Sequence, residues 1–302
     1  MKAGVILVNY EGEVDTLQCL DSLRAQQGVE MCVIVVDNSS SDTLSRHADA
    51  YPEMRLLRQN GNIGFAAGSN VGIRHALSTN CDNIFLLNND TMLEPDCLVQ
   101  LLACSQRHPD AAIVTPAIYQ APEHERPWFT GSSLDWPTFA ATHTTSDVRT
   151  QEIAAPFPIP WATGCAMLIP APAMRALSGF DERFFCYYED VDLSLRAVQL
   201  GYSCLLCPDS VLYHKVGASV KKYRQIQSYY DTRNRLLCCA IHTSGTTRKA
   251  AEHSLRRDAL KTARRAVFKG KRPEDRRRAV AIVMGMLDFH LQRFGECRYN
   301  FL

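Results

Sequence analysis

The sequence predicts an α/β domain with a mostly parallel sheet over residues 1–220, followed by a helical C-terminal region over 221–302. Three observations lead there. Short apolar runs alternate with helix-like segments through the first half, several of those runs stop at polar residues, and the alternation ends after "LYHKVGAS". Alternation of this kind implies a sheet covered by helices, with its strands mostly parallel.

Strands are expected at "VILV" (5–8), "CVIVV" (32–36), "RLL" (55–57), "IFLL" (84–87) and "AAIV" (111–114). The fourth is a continuous apolar run, as suits a strand buried on both faces. Helices are expected near 13–26, 66–78 and 95–107; in the last, Pro95 takes the first turn and Cys97, Leu98, Leu101 and Leu102 form an apolar stripe. Residues 120–160 are rich in Pro, Thr and His and lack periodicity, so they read as a long functional or mobile connection. "TGCAMLIP" (163–170) restores a strand, and "EDVDLSLRAVQLG" (189–201) is a helix with Val191, Leu195 and Val198 on one face and Gly201 as its stop. Amphipathic helices are expected at 221–243, 250–268 and 274–294.

Composition narrows the class. A 302-residue chain with 46% hydrophobic residues and a net charge of +1 is an ordinary globular protein. The charge is uneven: Arg248 to Arg278 holds thirteen Lys/Arg against four Asp/Glu. A basic tail of this sort points to an anionic surface as partner. The twelve Cys have no framework spacing; the single C-x-x-C, Cys204 to Cys207, lacks a second ligand pair, so structural thiols in a reducing cytoplasm are expected. No signal peptide is expected, and "AVAIVMGML" (279–287) is about half the length of a membrane span.

The chemistry lies at the strand ends. Asn9 and Tyr10, then Asp37 in "VDNSSSD", then Asn88 to Asp90 in "LLNND" all fall at one edge of a parallel sheet, where ligands bind. Each alone would fit a capped turn; three together favour a site. "NGNIGFAAGSNVG" (60–72) is not a dinucleotide fingerprint, but its glycines permit backbone to approach a phosphate or sugar. Asp90 with His214 could hold Mg²⁺ or Mn²⁺ on a diphosphate, because phosphate oxygens and water complete the octahedron. "FFCYYEDVDL" (184–193) sets three carboxylates at a helix start behind aromatic residues, a place for a general base.

Together these segments resemble glycosyltransferase family 2, the inverting nucleotide-sugar transferases of GT-A fold, and most of all its bacterial rhamnosyltransferase-like members. The resemblance runs in order from "VILVNYEG" to "YYDTRNRLL", over most of residues 3–237. It implies that Asn88-Asn89-Asp90 replaces the family's D-x-D element, with Asp90 and His214 on the metal and Asn88 on the ribose or diphosphate. It further implies that Asp37 meets the nucleobase, that Asn9, Tyr10, Glu11, Asn62 and Gly64 line the nucleotide sugar, and that Arg233 lies near the diphosphate. Asp190 matches the catalytic base, with Glu189 beside it, and Trp161 and Tyr188 are expected at the acceptor. The implied reaction transfers a sugar, rhamnose from dTDP-rhamnose being favoured over a UDP-sugar, to a glycan or lipid-linked glycan in surface polysaccharide synthesis. A nucleotidyltransferase is disfavoured because "VNYEGEVD" is acidic where such enzymes carry a basic glycine-rich loop, and a non-catalytic binding module because Asp90, Asp190 and His214 are all retained.

The basic segment "LRRDALKTARRAVFKG" (255–270) places Leu255, Ala259, Thr262, Ala263, Ala266 and Val267 at helical spacing, with Arg256, Arg257, Lys261, Arg264 and Arg265 around them. This predicts a helix lying on the inner face of an anionic membrane. Nucleic acid is disfavoured, since Phe268 is the only aromatic residue there for stacking.

Overall fold

A computed structural model describes residues 1–148, 155–215, 224–269 and 273–301. The first half alternates as expected: β1 (Lys2–Asn9), α1 (Glu13–Arg24), β2 (Glu30–Asp37), β3 (Met54–Arg58), α2 (Gly64–Ser78), β4 (Asn83–Asn88), β5 (Thr91–Leu93), α3 (Cys97–Arg107) and β6 (Ala111–Gln120). The helix α3 begins after Asp96, so Pro95 sits just outside it and not in its first turn. β3, β2, β1 and β4 are parallel neighbours. Ile84, Phe85, Leu86 and Leu87 of β4 are covered on both faces. Each such side chain contributes roughly 1.5–3 kcal/mol by leaving water. At Gly72 of α2 a Cβ would come within 2.4 Å of Ile6 Cγ2, so this glycine lets α2 lie close upon β1.

Beyond β4 the sheet is mixed. β11 (Ala166–Pro170) runs antiparallel to β4 and to β6, and β12 (Ser203–His214) returns parallel to β6. Between β6 and β11 lie β7 (Pro127–Phe129), β8 (Ser132–Asp135), β9 (Ala140–His143) and β10 (Phe157–Pro158). The expected structureless stretch is therefore partly a set of short strands, with β8 and β9 forming a hairpin. Strands of two to four residues are too short to display a period. Residues 149–154 and 216–223, which belong to the expected connection and to "HKVGAS", lie outside the described residues.

α4 (Ala171–Leu177) and α5 (Glu189–Gln199) complete this part. Val191 and Leu195 of α5 are buried, but Val198 is 48% exposed, because the last turn ends in solvent before Gly201. The C-terminal helices are α6 (Arg224–His242), α7 (Gly245–Lys269) and α8 (Pro273–His290). Leu236, Leu237, Cys238, Cys239, Ala251 and Leu255 from α6 and α7 share the apolar core of the sheet, so the core continues across the boundary expected at residue 220.

The face of α7 expected to meet a membrane mostly points inward. Leu255 joins the main core, and Ala259 and Ala263 pack on Ala279 and Ile282 of α8. Leu260, Val267 and Phe268 are the exposed large apolar residues among the described side chains of this helix. Its pattern of small residues every third or fourth position marks helix–helix packing as readily as lipid contact. Among the described residues, no helix is long and apolar enough to cross a membrane.

Candidate active site

Parallel pairing places Asn9 beside Asp37 and Val8 beside Asn88, so the polar strand ends converge at one edge. Most of these side chains are spent on one another. Asn9 is fully buried; its Nδ2 donates to Asp37 Oδ1 (2.8 Å) and Ser39 Oγ (2.9 Å), and its Oδ1 accepts from Gly12 N, Thr16 Oγ1 and Asn89 Nδ2. Asn9 thus braces the loops instead of facing a ligand. Asp37 is also buried and accepts further bonds from Ser39 N (3.1 Å) and Arg58 Nη1 (2.8 Å), leaving Oδ2 one lone pair. Tyr10 is exposed, and Glu11, at φ +54°, accepts from the backbone and hydroxyl of Ser40. Asn62 Oδ1 accepts from Gly64 N (3.0 Å). Gly64 has φ +87°, and a Cβ there would stand 2.7 Å from Phe185 O, so glycine serves both the turn and the contact.

Asn89 turns inward to Thr16, whereas Asn88 and Asp90 face the cleft. Antiparallel pairing of β5 with β12 sets His214 opposite Thr91, beside Asp90. His214 Nε2 lies 3.1 Å from Asp90 Oδ1, yet Asp90 Oδ1 and His214 Nδ1 have no hydrogen-bond partner among the described residues. Adjacent corners of an octahedron with bonds of about 2.1 Å lie about 3 Å apart. An imidazole nitrogen and a carboxylate oxygen at this spacing therefore fit two ligands of one Mg²⁺ or Mn²⁺ ion. Among the described residues no group of three or more His, Cys, Asp or Glu could hold a metal, so such an ion would need oxygens from a bound diphosphate and water.

Asp190 opens α5. Its Oδ2 accepts from Gly164 N and its Oδ1 from Val191 N, both at 2.8 Å. Glu189 is buried, and its Oε2 has no partner among the described residues. Burial pushes both carboxyls up, opposed at Asp190 by those two N–H groups, whereas Glu189 also meets the charge of Asp190. Glu189 therefore holds its proton the more firmly, and Asp190 is the member that ionises.

The loop before this pair is strained: Phe185, Tyr187 and Tyr188 have φ of +67°, +68° and +71°. Positive φ at bulky residues costs about 1–3 kcal/mol each. α6 supplies the restraint. Asn234 Nδ2 donates to Phe184 O (2.9 Å), Cys186 O (2.8 Å) and Tyr187 O (2.8 Å). Arg233, expected at the diphosphate, is instead fully buried, with its donors on Phe184 O, Arg183 O, Gly295 O, Tyr229 Oη and Asn234 Oδ1. Arg235 lines the cleft in its place. Residues two apart on a helix point about 200° from each other, which "RNR" in the sequence does not disclose.

The cleft encloses about 870 Å³, from Asn88 and Asp90 past Asp190 to α6, α7 and α8. Tyr188 lines it, with its hydroxyl on Phe139 O (2.9 Å). Trp161, expected at the acceptor, is buried outside the lining; its Nε1 donates to Ser133 O (3.1 Å). Trp128 of β7 lines the cleft instead, half-buried, with its ring 4.5 Å from that of His214 and 4.6 Å from that of His143. Burial pushes His143 down to about 4, so it lines the cleft as a neutral imidazole. The sequence carried no signal for Trp128, His143 or Arg235 beyond residue type.

A mostly parallel sheet flanked by helices, with Asp90 and His214 at one strand edge and Glu189 and Asp190 in the same cleft, belongs to the GT-A glycosyltransferase class of fold. Residues 4–167 match the model of "Glycosyl transferase family 2", and the chain belongs to that family. It is 26% identical to the low-salt glycan biosynthesis hexosyltransferase Agl10 of Haloferax volcanii over 77% of this chain and 74% of that one. It is likewise 26% identical to the N-acetylglucosaminyl-diphospho-decaprenol L-rhamnosyltransferase of Mycobacterium tuberculosis over 70% and 75% of the two chains. The structure of the mannosyltransferase PcManGT from Pyrobaculum calidifontis, solved with GDP-Man and Mn²⁺, superposes with a TM-score of 0.59 at 15% identity, covering 96% of this chain and 87% of that one.

Proposed function

We propose that this glycosyltransferase moves a sugar, by a single inverting displacement, from a nucleotide diphosphate donor to a hydroxyl of a glycan or lipid-linked glycan. The observation that carries the reading is the placement of Asp90, His214 and Asp190 in one cleft. Asp190 takes the proton from the acceptor hydroxyl as its oxygen attacks the anomeric carbon. Protonated Glu189 limits the negative charge beside it. Asn88 contacts the ribose or diphosphate, and Asp37 the base through its remaining lone pair. A divalent cation held by Asp90 and His214 would neutralise charge on the departing diphosphate. dTDP-rhamnose is the favoured donor, supported by the rhamnosyltransferase named among the relatives.

The test is a thermal-shift panel of dTDP, UDP and GDP with Mn²⁺, since a ligand that binds only the folded state raises its stability. The largest shift with dTDP is expected; no shift with any of the three overturns the donor reading. The membrane reading moves to the outward face of α7, where Arg257, Lys261, Arg264 and Arg265 surround Leu260 and Phe268. That chemistry supports peripheral attachment to an anionic lipid surface. Co-sedimentation with anionic but not neutral vesicles, weakened by salt, is the expected result; equal partition into both removes the reading.

A further inference from the structure

α6 turns Gln227, Asp231 and Arg235, one turn apart, toward the same cleft that holds Asp190. Asp258 and Thr262 of α7 and Arg278 of α8 face it from the other helices. Packing does not require this. α7 and α8 are joined by apolar contacts among Ala259, Ala263, Ala279 and Ile282, and α6 and α8 by Tyr229, Tyr230 and Ala281. A polar groove between helices that already pack well is a candidate for ligand recognition, and it opens beside Tyr187 and Tyr188.

We infer that this groove binds an uncharged sugar of the acceptor glycan, beyond the residue whose hydroxyl reacts. The inference rests on the glycosyltransferase reading and names its acceptor. The groove's charges are mixed: Asp231 and Asp258 against Arg235 and Arg278. A phosphate would meet two carboxylates here, and the Glu189–Asp190 pair nearby, which offsets any gain from the arginines. A sugar hydroxyl is both donor and acceptor, so it matches carboxylates and guanidinium groups alike.

The donors and acceptors are open. Arg235 uses its Nε on Thr138 O, and Arg278 its Nε on Ser228 Oγ (3.0 Å); among the described residues the terminal nitrogens of both have no further hydrogen bond. Tyr187, 38% exposed, offers an aromatic surface to the apolar face of a sugar ring. Burial holds the Asp231 carboxyl at about 7 despite the pull of Arg235 and Arg278, so its proton is available to a hydrogen bond near neutrality.

The test is a glycan array of uncharged di- and trisaccharides, alongside the same saccharides carrying a reducing-end phosphate. Wild-type protein should bind members of the uncharged set, and Asp231→Ala should lose at least tenfold in affinity for them. The isosteric Asp231→Asn and the peripheral Arg278→Ala guard against misfolding, and each should also weaken binding. Calorimetric affinity for dTDP with Mn²⁺ should be the same in all four proteins. The inference fails if the wild type binds no uncharged saccharide, if the phosphorylated set binds more tightly, or if the folded variants keep full affinity. Equal loss of dTDP affinity in the variants would also overturn it, by assigning the groove to the donor. Absence of nucleotide binding in the wild type would instead remove the glycosyltransferase reading beneath it.

Discussion

The two ends of the cleft use polar residues in opposite ways. At the strand edge, Asn9, Asp37, Ser39 and Asn89 are bonded to one another, and Asp90 Oδ1 and His214 Nδ1 have no hydrogen-bond partner among the described residues. At the helical end the restraint comes from outside: Asn234 and Arg233 donate to a strained loop so that Asp190 and Glu189 open α5 within the cleft. The first end is organised by side chains near in space and at successive strand termini. The second depends on α6, a helix outside the sheet. The strand edge is thus braced by its own residues, whereas the position of Asp190 is imposed from another element.

Replacing groups at each end separates these roles. The largest effect is expected from Asp190→Asn: donor affinity stays near wild type while kcat falls by about a hundredfold or more, because a base acts on the acceptor. Near-normal transfer by this variant would shift the role to Glu189. Asp90→Ala should lose most Mn²⁺-dependent affinity for the nucleotide diphosphate, on the order of tenfold or more, with the fold intact. Unchanged calorimetric affinity in Mn²⁺ would remove the metal assignment.

A smaller effect, but the one that bears most on imposed positioning, is expected from Asn234→Ala. Three carbonyls lose a buried donor, so stability should fall by about 2 kcal/mol in a denaturation series, and kcat should fall more than donor affinity. If the variant lost stability alone, the loop would hold its shape without the clamp. The smallest effect is a pH dependence at Asp231. Its carboxyl is raised from 3.8 to about 7 in the folded protein. Proton binding there stabilises the fold fully below the lower value, and that contribution is lost as pH rises through the higher one. Asp231→Asn lacks this titration, so its melting temperature should gain on wild type by a few degrees between pH 5 and 8. A constant difference across that range would mean that Asp231 is ionised throughout.

The sheet half was legible because strand burial writes itself as apolar runs, and the end of β4 pointed to Asp90 directly. Asp90 and His214 were paired from strand position together with the family resemblance, and pairing of β5 with β12 explains how they meet. What was not legible depends on rotation and direction. Arg233 and Arg235 differ only in helical phase; Trp128 lies in the short strand β7 and Trp161 in the loop before β11, and residue type alone does not say which of them lines the cleft. The antiparallel course of β11 was hidden as well, since an apolar run buried on both faces reads the same in either direction. The apolar face of α7 was read correctly as a face, but its partner is another helix.

The clamp on the loop before Asp190 has a consequence in time as well as in space. Arg233 also donates to Gly295 O (2.6 Å), and Gly295 N donates to Arg183 O (3.0 Å), so the last segment closes upon the same loop. During synthesis the N-terminal part of a chain emerges and begins to fold first. Asn9, Asp37 and Asn88 to Asp90 therefore precede in synthesis the residues that hold Phe184–Tyr187, which come only with α6 and the segment around Gly295. The loop before Asp190 thus acquires its clamp later than the strand ends acquire their partners.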